Sequence, residues 1–148
     1  MRIPKRRVEA WLDALRRARA TAERVAQRLG KVTAILYGSY ARGDFNLWSD
    51  IDMIIVSEAF EGVRPLDRYD MVSDLLEANV EPVLLTPREF ADAVGRPAWR
   101  QALASGSVIV RDDYGLKDLL RKSLGSSPLG YEELVREVAK LFERAVEM

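Results

Sequence analysis

The apolar positions of the first thirty residues recur every three or four places. Val8, Trp11, Leu12, Leu15, Ala18, Ala22, Val25, Ala26 and Leu29 lie on one stripe, the period of an amphipathic helix. Pro4 suits the start of that helix and Gly30 its end. The pattern then changes. Val32–Tyr37 is a short β-branched run that reads as a buried strand, and Gly38–Ser49 is a turn-rich connection. Ile51–Val56 is a second strand, entered through two acids. Pro65 opens a helix expected to reach Ala78, with Asn79 as its cap. Val80–Leu85 reads as a third strand, and Thr86-Pro87-Arg88-Glu89 carries a capping box for a short helix. Ala98–Ala104 fits a further helical turn or two and Ser107–Val110 a fourth strand. Gly125-Ser126-Ser127-Pro128 reads as a linker, before Leu134, Val135, Val138, Leu141, Phe142 and Ala145 mark a last amphipathic helix.

Taken together these elements predict a mixed α/β (α+β) fold, with a small mixed sheet of about four strands flanked by helices. The 148 residues suffice for one domain and one core. Within it, 1–30 forms an N-terminal basic helix, 32–110 a catalytic core and 128–148 a C-terminal helix.

Composition removes whole classes of chemistry. The chain has no cysteine and no histidine, so disulfides, thiolate or imidazole metal sites, cysteine nucleophiles and Ser-His-Asp triads are all excluded. Catalysis must rest on carboxylates, hydroxyls, Lys/Arg and a metal held by oxygen. Basic and acidic residues balance at 23 each, but residues 1–31 carry a net +7 and the remainder −7. The basic segment reads as a solvated helix face in preference to an RNA-binding surface. Its Val8, Leu15, Ala22, Leu29 spacing also permits helix pairing in a homodimer. Uncharged runs stop at ten residues, far short of a membrane span, which gives the expectation of a cytoplasmic protein with no membrane partner.

The residues with the most chemistry lie between Gly38 and Asp52. Asp50 and Asp52 are two apart at the head of a strand, so both carboxylates project to one face. Two such acids repel unless a cation lies between them. Their hard oxygens suit Mg²⁺ or Mn²⁺. Gly38-Ser39 ends the preceding strand in a turn whose amides, with the Ser39 hydroxyl, can receive phosphate oxygens. Arg42 can clamp a phosphate with its fork of donors. Glu81 is the only charged residue in its apolar run and is the candidate third carboxylate of a two-metal site. Asp44 reads as a turn acid. Tyr37, Tyr40 and Trp48 flank the loop and read as packing residues before base-stacking ones.

The pattern Gly-Ser, ten residues, Asp-x-Asp resembles the signature of the DNA polymerase beta-type nucleotidyltransferase superfamily. Leu36-Tyr37-Gly38-Ser39-Tyr40-Ala41-Arg42-Gly43 and Ser49-Asp50-Ile51-Asp52-Met53-Ile54-Ile55-Val56 are similar to its minimal, antitoxin-like members. The resemblance implies an NTP donor such as ATP, two divalent cations, and transfer of a nucleoside monophosphate to an acceptor hydroxyl. By it, Gly38 and Ser39 hold the triphosphate, Asp50 and Asp52 bind the metals, and Glu81 ligates the catalytic one. It also implies a HEPN-type toxin as partner and acceptor. Small-molecule acceptors, as in aminoglycoside-modifying relatives, and a non-catalytic module that binds nucleotide or masks a partner are the alternatives. Two departures bear on the choice: Glu81 stands where many relatives have Asp, and Pro82 follows it inside a strand, where proline is confined to edges and bulges.

Overall fold

The computed structural model describes residues 3–146. Helix α1 spans Lys5–Leu29, and strands β1 (Thr33–Tyr37) and β2 (Ile51–Val56) flank a single helical turn, α2 (Ser39–Arg42). Helix α3 (Pro65–Val72), strand β3 (Val80–Leu85), helices α4 (Pro87–Val94) and α5 (Pro97–Ala104) and strand β4 (Ser107–Asp112) follow. Helix α6 (Lys117–Leu124), strand β5 (Leu129–Gly130) and helix α7 (Tyr131–Arg144) complete the order. The strands form one sheet, β3-β2-β1-β4-β5. β1 runs antiparallel to β2 and β4, whereas β2–β3 and β4–β5 are parallel pairs. The mixed sheet agrees with the sequence reading, with a two-residue fifth strand added at one edge.

Both faces of the sheet are covered, which explains the near-continuous apolar character of β1 and β2. On one face Ala34, Leu36, Met53 and Ile55 pack against α1 and α7 through Val8, Leu15, Val25, Leu134 and Val138. On the other, Ile35, Ile54 and Val56 pack against Phe90 of α4, Leu103 of α5 and Leu120 of α6. Each large apolar side chain buried in this way contributes about 1.5–3 kcal/mol. The heptad-spaced stripe of α1 is used here. Val8, Leu15 and Ala22 are buried against the chain's own core, so the dimer contact that their spacing permitted is already occupied within the molecule.

Three elements depart from the sequence reading. The helix opened by Pro65 ends at Val72 and passes into a 3₁₀ turn, Ser73–Leu75. Asn79, expected to cap a helix, instead takes φ 68° in the tight turn into β3. Helix α6 was not foreseen, because its own sequence carries no side-chain cap. Its leading amides at Leu116 and Lys117 donate to the carboxylate of Asp112 at the end of β4, so the cap comes from a neighbouring strand. The capping box of α4 forms as read, with Thr86 and Glu89 each accepting from the other's backbone. Glu89 also receives both terminal nitrogens of the buried Arg68, at 2.6 and 3.1 Å. The Arg68 guanidinium and the Thr86 amide hold the Glu89 carboxyl down at about 2, which ties α3 to the start of α4.

Four arginines of α1 are paired, two with acids of the body of the protein and two within the helix itself. Arg28 grips Asp74 with two hydrogen bonds, Arg24 meets Glu77, and Arg17 and Arg19 pair with Asp13 and Glu23 one turn away on the helix. Exposed pairs of this kind contribute little individually, roughly 0–1 kcal/mol. Their effect on the charge pattern is larger, since these arginines already face acids of the chain. No described helix is long and apolar enough to cross a membrane.

Candidate active site

Asp52 and Glu81 stand at one corner of the sheet, where β1 ends and β2 and β3 begin, and Asp50 directly precedes β2. Tyr37 of β1 pairs in register with Asp52 of β2, and Asp52 with Glu81 of β3. Register partners project to the same face, so Tyr37, Asp52 and Glu81 form a row across three strands. The residues that follow at intervals of two, Ile54 and Val56 in β2 and Val83 and Leu85 in β3, pack against α4–α6. The acids therefore stand on that face, at the end of its apolar surface. β3 is an edge strand of the sheet, the setting in which Pro82 is tolerated. The proline thus leaves Glu81 level with Asp52.

The Asp52 carboxylate lies within reach of the neighbouring acid charges. Asp52, half-buried, has its pKa raised first by burial, then by Asp50 and by Glu81, with Arg42 opposing. Tyr37 beside it is pushed up to about 12 by burial and by the Asp52 charge. Asp50 and Glu81 are exposed, leaving the mouth of the corner open to solvent. Among the described residues, no group of three acids stands ready to hold a metal ion as the side chains are placed. The strands bring Asp52 and Glu81 into one row without closing the three side chains on a common point.

Gly38 brings the turn onto the acids. It adopts φ 79° and ψ −154°, a conformation essentially reserved for glycine. A Cβ at this position would fall 2.5 Å from Asp52 Oδ2, so the carboxylate lies directly against the turn. Beyond it, Ala41 and Arg42 donate to the Gly38 carbonyl at 3.1 Å and Gly43 to that of Ser39 at 2.7 Å. The amides of Ser39 and Tyr40 open this helical turn and precede any acceptor within it. Arg42 lies over the same corner. Its Nε donates to both Asp44 oxygens at 3.1–3.2 Å and its Nη1 to Ser105 Oγ at 3.3 Å. Asp44, as read, is a turn acid, and here it holds the arginine.

The aromatics divide. Tyr37 packs edge-on against Trp99 at 5.6 Å, and Tyr40 stacks on Phe45 at 4.5 Å. Trp48 corrects the expectation of packing: it is 88% exposed, and its neighbour Leu47 91%. Their turn is held by the Asn46 side chain accepting from Trp48 N at 2.8 Å and by Ser49 Oγ accepting from Asn46 N at 2.8 Å. Two large apolar groups are thereby presented to solvent just ahead of Asp50. Two residues that the sequence reading placed in the helix stripe and the basic face, Trp11 and Arg7, reach this loop from α1. Their partners lie 29 and 36 positions away, so no local signal marks them.

Comparison with known proteins follows the same segment. The nucleotidyltransferase domain family matches residues 18–102, more than half of the chain. A protein of Methanocaldococcus jannaschii, named as a candidate protein adenylyltransferase, is 30% identical over 67 residues. That match takes in 40% of this chain and 45% of the relative, so this chain spans about half the length of the curated relative it matches. The crystal structure of a candidate nucleotidyltransferase from Sulfolobus solfataricus is 30% identical and superposes with a TM-score of 0.52, covering 58% of this chain and 78% of its own. A toxin–antitoxin structure solved with AMP-PNP covers 84% of this chain and 95% of its own at 16% identity and a TM-score of 0.48, too slight a likeness to inform function.

Proposed function

Because the chain belongs to the nucleotidyltransferase domain family, we propose that it transfers a nucleoside monophosphate, AMP from ATP, to an acceptor hydroxyl in a reaction that depends on Mg²⁺ or Mn²⁺. What supports this reading is the contact of the Asp52 carboxylate with Gly38, with Glu81 in register beside Asp52 and the charge of Asp50 acting on it. The donors fit such cations: all are carboxylate oxygens, and a divalent cation would offset the burial and the neighbouring Asp50 and Glu81 charges that disfavour ionised Asp52. Asp50, Asp52 and Glu81 would hold two ions. Bound there, they supply charge neutralisation on the triphosphate and a lowered pKa for the acceptor hydroxyl.

The chain's own groups do the rest. The turn amides and the Ser39 hydroxyl bind the triphosphate, and Arg42 exchanges Asp44 for a phosphate oxygen. The acceptor oxygen attacks the α-phosphorus, the bond from that phosphorus to the bridging oxygen breaks, and pyrophosphate leaves. Glu81, on the exposed edge, takes the acceptor's proton on a carboxylate oxygen. We read the acceptor as a partner protein. The name of the archaeal relative supports this, as do Leu47 and Trp48, which offer an exposed apolar contact beside the acids. A HEPN-type toxin is the partner that the sequence resemblance implies.

The test is incubation with ATP, Mg²⁺ and a candidate partner, followed by intact-mass spectrometry and a pyrophosphate assay. The partner should gain one AMP per event, with equimolar pyrophosphate, and EDTA should stop both. Nucleotide binding without pyrophosphate release would favour the non-catalytic reading, for which the unclosed arrangement of the three acids is the motivating observation.

A further inference from the structure

The first turns of α1 lie outside the segment matched by the family, which begins at residue 18. They nevertheless donate two hydrogen bonds to the loop that leaves the Gly38-Ser39 turn. Trp11 Nε1 donates to the Tyr40 carbonyl at 2.8 Å. Its ring lies where a side chain at Gly43 would be, with a ring carbon 2.7 Å from the position of a Cβ, so residue 43 must be glycine for the indole to seat. Gly43 itself takes φ 94°. Arg7 donates from Nη2 to the Gly43 carbonyl at 2.9 Å, and its guanidinium covers the Phe45 ring at 4.1 Å. Phe45, buried, stacks in turn on Tyr40 and meets Trp11 at 5.8 Å.

These contacts have a common geometry. The carbonyls of Tyr40 and Gly43 lie at the C-terminal end of the single turn α2, where a four-residue helix leaves its carbonyls without partners of its own. A turn that short has almost no intrinsic stability, so its orientation is set from outside. Two donors from one rigid 25-residue helix supply that orientation.

We propose that Trp11 and Arg7 are positioning residues: a clamp from α1 that fixes the Ser39–Arg42 turn, and with it the phosphate-binding amides and Arg42, against the carboxylates. The inference rests on the reading of that turn as the nucleotide site. It gives the basic N-terminal helix a role in nucleotide binding through neutral and guanidinium hydrogen bonds to the loop, not through attraction of its net charge.

The variants that test it are Trp11→Phe, which keeps a ring against Gly43 but removes the donor, and Arg7→Gln, with Leu134→Ala in α7 as a control for destabilisation alone. Two readouts separate the claims. In the protein without nucleotide, hydrogen exchange at the amides of Ala41, Arg42 and Gly43 should quicken about fivefold to tenfold in Trp11→Phe, the loss of roughly one hydrogen bond. Leu134→Ala should leave the ratio of these amides to those of β1 unchanged. Titration with Mg²⁺ and AMP-PNP should then show Kd raised by a similar factor in Trp11→Phe and Arg7→Gln, and unchanged in Leu134→Ala. Unaltered exchange in Trp11→Phe overturns the clamp. So does an equal rise of Kd in Leu134→Ala. Quickened exchange with an unchanged Kd leaves the clamp standing and overturns the assignment of the turn to nucleotide, as does a wild-type protein that binds no Mg²⁺–AMP-PNP.

Discussion

Asp52→Asn should lose nucleotide transfer by about 10³-fold, the equivalent of roughly 4 kcal/mol of transition-state stabilisation, and yet should be no less stable than the parent. The two halves of this expectation have one cause. Asp52 stands between Asp50, Glu81 and Tyr37, half-buried, and burial and the neighbouring acids raise its pKa. A carboxyl whose pKa is higher in the folded than in the unfolded chain contributes stability below its unfolded pKa, near 3.8. It loses that contribution as pH rises through the folded value. At neutral pH the native chain therefore carries the repulsion in full. Asparagine, uncharged throughout, removes it, so the Tm of the variant should equal or exceed that of the parent at pH 7. The gap should close as pH falls towards 3.8. Pyrophosphate release and thermal melts across pH 4–7 check both. A variant that melts well below the parent at pH 7 would make Asp52 a structural residue.

The second large effect belongs to Gly38→Ala. The backbone there, φ 79° and ψ −154°, costs an alanine about 1–3 kcal/mol, which lowers Tm by roughly 3–12 °C in a chain of this size. The added methyl also meets the carboxylate of Asp52 at 2.5 Å, so the acid or the turn must shift. Displacement of a reacting group by about 1 Å costs on the order of 10²-fold in rate. Gly62→Ala separates the two terms. Gly62 also has positive φ, 73°, but a Cβ there meets nothing within 4 Å. It should show the loss of Tm and keep its activity. Steady-state rates measured well below both melting temperatures decide the matter, and a Gly38→Ala variant as active as Gly62→Ala would remove Asp52 from the site.

Much of this corner was legible in the sequence because its determinants are local. The turn at Gly38-Ser39 follows from local turn geometry, and the strand that carries Asp52 from its own apolar run, which begins at Ile51 and leaves Asp50 just ahead of it. The capping box at Thr86–Glu89 was legible for the same reason. The registration of Glu81 with Asp52 was not, since it depends on how two strands 29 positions apart in this pair align. Pro82, which raised doubt about Glu81, is explained by the edge position of β3, a fact of topology. Helix α6 carries no local start signal because Asp112 caps it from a strand. The helix opened by Pro65 ends early, at Val72, where Met71 and Leu75 turn towards the core around α1. Trp48 was expected to pack like other tryptophans. Its exposure follows from a turn fixed by Asn46 and Ser49, which no hydropathy pattern encodes.

The proposal that three carboxylates and the glycine–serine turn share one metal–nucleotide site is tested most directly by a crystal structure grown with Mn²⁺ and AMP-PNP, with the metal located from its anomalous signal. The account predicts manganese bound by Asp50 and Asp52, Glu81 turned to the same centre, and the triphosphate on the amides of Ser39 and Tyr40. Manganese and nucleotide held elsewhere on the chain, with Glu81 and the two aspartates facing solvent, would contradict it.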